Sequence, residues 1–138
     1  MNMKIMLDVG AKAPVSAHEA DGGYDLFARE TKVIPARSSE KFDTGVHVQI
    51  PNGYVGFLKS KSGLNVKHGI TSEGVIDSGY TGSIVAKLYN NSYKDYTVNA
   101  GDKITQIVFL PIAKPTLEEV SEFEATERGN GGFGSTGV

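Results

Sequence analysis

Short stretches of alternating or β-branched apolar character, broken by a turn signal about every ten residues, constrain this chain more than any other feature. Lys32 to Ile34, Gly45 to Ile50, Tyr54 to Leu58, Ser83 to Leu88 and Ile104 to Leu110 are such stretches. Successive side chains of a strand point to opposite faces, so these segments predict short β-strands. Pro35, Pro51-Asn52-Gly53, Asp77-Ser78-Gly79, Asn90-Asn91 and Asn99-Ala100-Gly101-Asp102 supply the turns between them. Strands at this spacing predict an all-β sandwich or barrel. Helix signals are confined to one or two turns after Ser62 and to Thr116–Phe123, where Pro115 and Thr116 open a segment with acidic residues in its first turn.

A chain of 138 residues is one domain, able to bury roughly two thirds of its unfolded surface without a metal or disulfide. The net charge of −2, with no basic block, argues against a nucleic-acid duplex or an anionic membrane as partner. Absence of cysteine, of a signal-like N-terminal run and of any apolar stretch near about 18 residues predicts a soluble, cytoplasmic protein. No repeat or linker interrupts residues 1–125. Residues 126–138 differ: five glycines, Arg128, Phe133, and the adjacent hydroxyls of Ser135 and Thr136. Such a tail is either a frayed end or a binding arm, with glycine N–H groups and hydroxyls for an anion, a guanidinium for phosphate and an aromatic face for a base.

Phosphate-loop, zinc-protease, nucleophile-elbow and cysteine-nucleophile motifs are missing. His18, His47 and His68 lie far apart in sequence and read as structural or surface groups, not as metal ligands. The carboxylates are more informative. Asp25 precedes apolar Leu26 and Phe27, an odd place for a charge unless something satisfies or uses it. Asp77 before Ser78-Gly79 is, taken alone, a residue that opens a turn by bonding its own backbone. Lys61-Ser62-Gly63 sets a cation, a hydroxyl and a glycine at a loop-to-helix junction, where free N–H groups favour an anion.

In order along the chain, Gly23-Tyr24-Asp25-Leu26, Lys61-Ser62-Gly63-Leu64, Gly74 to Gly82, Gly101 to Gln106 and Glu127 to Gly137 resemble the five motifs of the homotrimeric dUTP pyrophosphatases (dUTPases). The resemblance spans nearly the whole chain. It implies a jelly-roll-like β-barrel or sandwich of short strands, with one short helix and a flexible Gly-rich C-terminal arm closing over the active site. It implies hydrolysis of dUTP to dUMP and pyrophosphate by water attack at the α-phosphorus, with Mg²⁺ on the triphosphate, in a homotrimer whose sites are each built from three subunits.

Residue roles follow from the same resemblance. Asp77, Gln106 and Ser62 are the catalytic set, Asp77 orienting and deprotonating the water while it binds the sugar 3′-hydroxyl. Tyr80 lies under the deoxyribose and crowds out a 2′-hydroxyl. Backbone groups around Gly74, Val75, Ile76 and Val85 read uracil, and Lys61, Ser62 and Gly63 hold the α- and β-phosphates. Asp25 binds water ligands of Mg²⁺. Phe133 stacks on uracil, while Arg128, Gly134, Ser135 and Thr136 bind the outer phosphates. Two departures stand out: Lys61 replaces the usual Arg, giving a point charge without the bidentate fork, and the segment from Lys67 to Val75 is slightly short.

Two alternatives compete with this reading. The dCTP deaminases share the fold and an Ile-Asp-x-Gly-aromatic stretch, but their chemistry needs a glutamate where Lys87 stands, which disfavours them. A dUTPase-like scaffold that binds another protein and is switched by nucleotide would use the same motifs.

Overall fold

The computed structural model describes residues 1–134. Ten strands and one helix follow one another: β1 Lys4–Leu7, β2 Tyr24–Phe27, β3 Lys32–Ile34, β4 Ser39–Asp43, β5 Val46–Gln49, β6 Tyr54–Lys59, α1 Ser62–His68, β7 Ile70–Ile76, β8 Val85–Asn90, β9 Tyr96–Val98 and β10 Lys103–Pro111. Six strands form one antiparallel sheet in the order β2-β10-β6-β7-β8-β4, which curls into a half-barrel, while β1 pairs with β5 and β3 with β9. All five stretches expected from the sequence are strands. The helix after Ser62 is the one helix among the described residues, and it ends at Gly69, whose φ of 67° favours a residue without a Cβ.

Alternation drives the packing. In β8, Ala86, Leu88 and Asn90 point inward while Val85, Lys87 and Tyr89 face out. One apolar cluster gathers Leu26, Val46, Val48, Ile50, Leu58, Ile76, Ile84 and Ile107, and a second gathers Ala28, Ile34, Phe42, Ile70, Ala86, Leu88, Val98 and Ile104. Each Val, Leu, Ile or Phe among them contributes about 1.5–3 kcal/mol on burial. Where β6 lies against β10, Gly56 leaves room for Ile107 and Ile50, whose atoms would stand 2.9 and 3.1 Å from an added Cβ.

The second expected helix does not form. Residues 112–124 have no regular structure, and Leu117 and Phe123 are each 90% exposed. A helix of two turns is marginal in water unless an apolar face is buried, and this segment has no surface of its own chain to pack on.

Candidate active site

The site is built outward from a bulge. Strand β10 pairs with β2 through Lys103↔Phe27, then shifts register so that Thr105 faces Leu26 and Gln106 faces Asp25. An unbroken ladder would have put Thr105 opposite Asp25; the extra residue substitutes an amide-bearing side chain. Asp25 is 6% exposed, and its two carboxylate oxygens meet two ammonium groups, Lys61 on Oδ1 and Lys103 on Oδ2 at 3.2 Å. Burial works against its charge, but the hydrogen bonds and fields of Lys61 and Lys103 outweigh it and hold the carboxyl below the ordinary Asp value.

Beside this pair, β6 runs into α1. Lys61 is the extended N-cap residue, with φ −77° and ψ 127°, and makes no side-chain cap. The N–H groups of Ser62 and Gly63 therefore begin the helix without intrahelical partners, on exposed residues. A hydroxyl network fixes the junction from below. Thr105 donates to Lys59 O at 2.9 Å and lies 2.7 Å from the Ser72 hydroxyl, while Ser60 donates to Ser72 O at 3.2 Å and accepts from Ser72 N at 3.0 Å. Gln106 Nε2 donates to Ser60 O at 3.1 Å. Gly23 makes room for that amide, since an added Cβ would stand 2.7 Å from Gln106 Oε1.

A second group lies on a loop. Strands β7 and β8 pair only through Ile70–Ser72 and Leu88–Asn90, while β7 continues along β6 to Ile76. The two strands part beyond Ser72, opening a wedge bordered by the backbones of Gly74, Val75 and Val85. Val75 and Val85 are 59% and 44% exposed there, whereas Ile76 turns into the core. Asp77 follows on the surface. Its carbonyl accepts from Tyr80 N at 3.0 Å, closing a turn, and the Tyr80 hydroxyl donates to Ser83 O at 2.7 Å. Gly82 lets the ring fold down, for a Cβ there would lie 2.6 Å from the Tyr80 oxygen.

Asp25, Lys61, Ser62, Gly63 and Gln106 thus come together, and Gly74, Val75, Ile76, Asp77, Tyr80 and Val85 form a separate group. Ile76 faces Gly56 at one end of the β6–β7 ladder and Glu73 faces Lys59 at the other. Asp77 and Lys61 extend beyond opposite ends, about 20 Å apart at the ~3.3 Å rise of a strand residue.

The tail stands apart from both. Gly129 N donates to Thr126 Oγ1 at 2.9 Å, Gly131 N donates to Arg128 O at 2.9 Å, and the Arg128 guanidinium turns back on Gly131 O. Phe133 is fully exposed with φ 51°, a region a bulky residue seldom adopts. Ser135 and Thr136 lie outside the described residues. A cavity of about 590 Å³, bordered by Ile5, Tyr24, Val48, Ile107 and Phe109, contains none of the expected site residues.

Three participants were not singled out from sequence. Lys103 lies within the fourth motif, but its contact with Asp25 depends on the bulge. Ser60 and Ser72 are ordinary strand residues until the network joins them. A buried carboxylate with a lysine on each oxygen is not an inner ligand for a metal, and among the described residues no three His, Cys, Asp or Glu side chains cluster as a metal site.

The dUTPase family model matches residues 10–137. The deoxyuridine 5'-triphosphate nucleotidohydrolase of Clostridium acetobutylicum is 42% identical, with 100% of this chain and 98% of that protein aligned. The dUTPase of Staphylococcus bacteriophage 80alpha with dUPNHPP superposes with a TM-score of 0.93 at 34% identity, covering 99% of each chain. A mutant dUTPase from phage phi11 of S. aureus, with a structural Mg(II) ion, superposes with a TM-score of 0.84 at 33% identity, over 91% of this chain and all of that one. Alignment along the length of both chains and a shared curled sheet leave no other placement: the chain belongs to the dUTPase family.

Proposed function

We propose that the chain hydrolyses dUTP to dUMP and pyrophosphate, with water attacking the α-phosphorus. The observation that carries this reading is the near-complete superposition on a relative that holds dUPNHPP, in a chain that carries all five motifs, with Lys61 in place of the usual Arg in the second. The oxygen of water forms a bond to the α-phosphorus, and the bond from that phosphorus to the α–β bridging oxygen breaks, releasing pyrophosphate. Hydrolysis in ¹⁸O-water tests the step. One label in dUMP and none in pyrophosphate is expected; label in pyrophosphate would place the attack elsewhere.

Such chemistry is mostly positioning and charge neutralisation. Asp77 takes the proton of the water and accepts a bond from the 3′-hydroxyl, and the Tyr80 ring refuses a 2′-hydroxyl. Uracil enters the wedge between β7 and β8 and bonds the backbone around Gly74, Val75, Ile76 and Val85. Lys61, Ser62 and the Gly63 N–H hold α- and β-phosphate oxygens, and Gln106 holds an α-phosphate oxygen or the water. The single paired carboxylate of Asp25 fits Mg²⁺ held by the triphosphate and its own waters, with Asp25 as an outer partner. When bound, the ion neutralises phosphate charge.

The ~20 Å between Asp77 and Lys61 supports a site shared between copies, as in a homotrimer. Residues 1–125 then form the β domain and 126–138 the arm, with Phe133 on uracil and Arg128, Gly134, Ser135 and Thr136 on the outer phosphates. No helix among the described residues is long and apolar enough to cross a membrane, and a free-nucleotide substrate suits the cytoplasm. Co-refolding Asp77→Asn with Gln106→Ala chains tests sharing. Each variant alone is nearly inactive, and the mixture recovers activity; no recovery would point to a site within one chain.

The Gly23→Ala substitution displaces the Gln106 amide from Ser60. It is expected to lower turnover about tenfold, the worth of one hydrogen bond of about 1.4 kcal/mol, and to lower the thermal midpoint as well, since the added Cβ also stands 3.1 Å from Val108 Cγ2 and 3.2 Å from Ile107 O. Steady-state kinetics beside a melting curve check it.

A second reading adds a role to the first. Phage dUTPases similar to this chain control transfer of virulence genes by a G protein-like mechanism. A protein partner switched by nucleotide would be retained differently in pull-downs with and without dUTP, and absence of any nucleotide-sensitive partner would count against it.

A further inference from the structure

We propose that His47 is a positioning residue for the Asp77–Ser83 loop, holding it as an imidazolium that bridges Thr81 to Asp8. This rests on the catalytic reading of that loop given above. His47 lies on β5 opposite Met6 of β1. Its Nδ1 is 2.8 Å from Thr81 O and its Nε2 is 3.0 Å from Asp8 Oδ1. A backbone carbonyl and a carboxylate can only accept. A neutral imidazole carries one N–H, so both bonds require the charged ring. On deprotonation the remaining N–H serves one oxygen, and the other nitrogen turns a lone pair toward an acceptor.

The surroundings favour the charged ring. Asp8 faces it from just past the end of β1, and Asp43 at the end of β4 adds a second negative charge, shared with Arg29 at 3.2 Å. Lys4 of β1, which borders a surface cavity together with His47 and Thr81, opposes them. The Thr81 carbonyl first, then Asp8, outweigh partial desolvation and raise the imidazole above its ordinary value. A raised value means the hold is complete at pH below the ordinary imidazole range and is lost as pH climbs through the raised one.

Thr81 lies one residue past the midpoint of the loop. At its far end, Ile84 N donates to Val46 O at 2.8 Å and Thr44 N to Ile84 O at 2.9 Å, and the Ser83 hydroxyl donates to Asp43. Toward Asp77, the turn closed by Tyr80 N has no further bond to β5 among the described residues. His47 therefore ties the loop to the sheet at Thr81, one residue from Tyr80 and four from Asp77.

The test follows kcat and KM for dUTP from pH 6 to 9 in the wild type, His47→Gln and Asp8→Asn, together with NMR titration of the His47 ring and of the Tyr80 and Thr81 amides. The wild-type KM is expected to rise several-fold through the His47 titration, with a smaller change in kcat. His47→Gln starts near the high-pH KM, so its ratio to wild type falls toward one as pH rises, which cancels ionisation of the substrate. Asp8→Asn moves the inflection to lower pH, a readout that lost packing would not produce. A wild-type to His47→Gln ratio constant with pH, or loop amides that ignore the ring, would overturn the proposal. Amides that follow the ring in a chain without dUTP turnover would uphold the hold on the loop and overturn the catalytic reading instead.

Discussion

Asp77→Asn lowers dUTP turnover by about 10²- to 10⁴-fold, the range of general-base loss, and leaves nucleotide binding and fold in place. Asp77 is exposed, one residue past the end of β7, and the hydrogen bond closing its turn comes from its backbone carbonyl. Asparagine keeps that carbonyl and the side-chain volume. It also keeps one oxygen for the 3′-hydroxyl, but it cannot accept a proton from water. Single-turnover kinetics with a non-hydrolysable analogue as binding control separates the two effects. Turnover within threefold of wild type would remove Asp77 from its role.

Asp25→Asn costs stability as well as activity. Loss of the charge leaves Lys61 and Lys103 facing an amide, and one end of that amide donates toward an ammonium. Breaking a buried pair by removing one partner costs about 3–5 kcal/mol; with Lys61 and Lys103 side chains 28% and 46% exposed, water relieves part of this, and about 2–3 kcal/mol is expected. The pH dependence has a definite sign. Asp25 titrates lower in the folded chain than in the unfolded one, so its contribution is present above the ordinary carboxylate value of about 4 and is lost as pH falls through the lowered one. Urea midpoints between pH 3 and 7 check this: the gap between wild type and variant is full at pH 7 and narrows toward pH 3. A gap unchanged with pH would mean the pairing is not what stabilises the site.

Much of the fold was legible because period and turn chemistry are local. The first strand expected from alternation, Lys32 to Ile34, matches β3 at both ends, and β6 and β10 match nearly as well. β1, β2, β4, β7 and β9 were not among the expected strands, for physical reasons. β1 is exposed throughout, β4 and β9 each bury one apolar residue, Phe42 and Val98, and β2 and β7 interrupt their apolar residues with Asp25 and with Ser72-Glu73-Gly74. The Thr116–Phe123 segment misled in the opposite direction, with caps and acidic residues suited to a helix but no surface to bury it.

The site divides along the same line. Asp25 was legible because a charge ahead of Leu26 and Phe27 demands a partner. Which partner it takes depends on the Lys103/Thr105 bulge, a register between strands far apart in sequence. His47 read as a structural or surface histidine with no named partner, because both its acceptors, Asp8 and Thr81, are more than thirty residues away.

Pyrophosphate release from dUTP, dCTP, dTTP and UTP, with Mg²⁺ and with excess chelator, tests the central claim most directly. Rapid Mg²⁺-stimulated release from dUTP alone is the predicted result, as the proposed uracil site between β7 and β8 and the proposed Tyr80 barrier to ribose require. Release from none of the four, or equally from all, would contradict it.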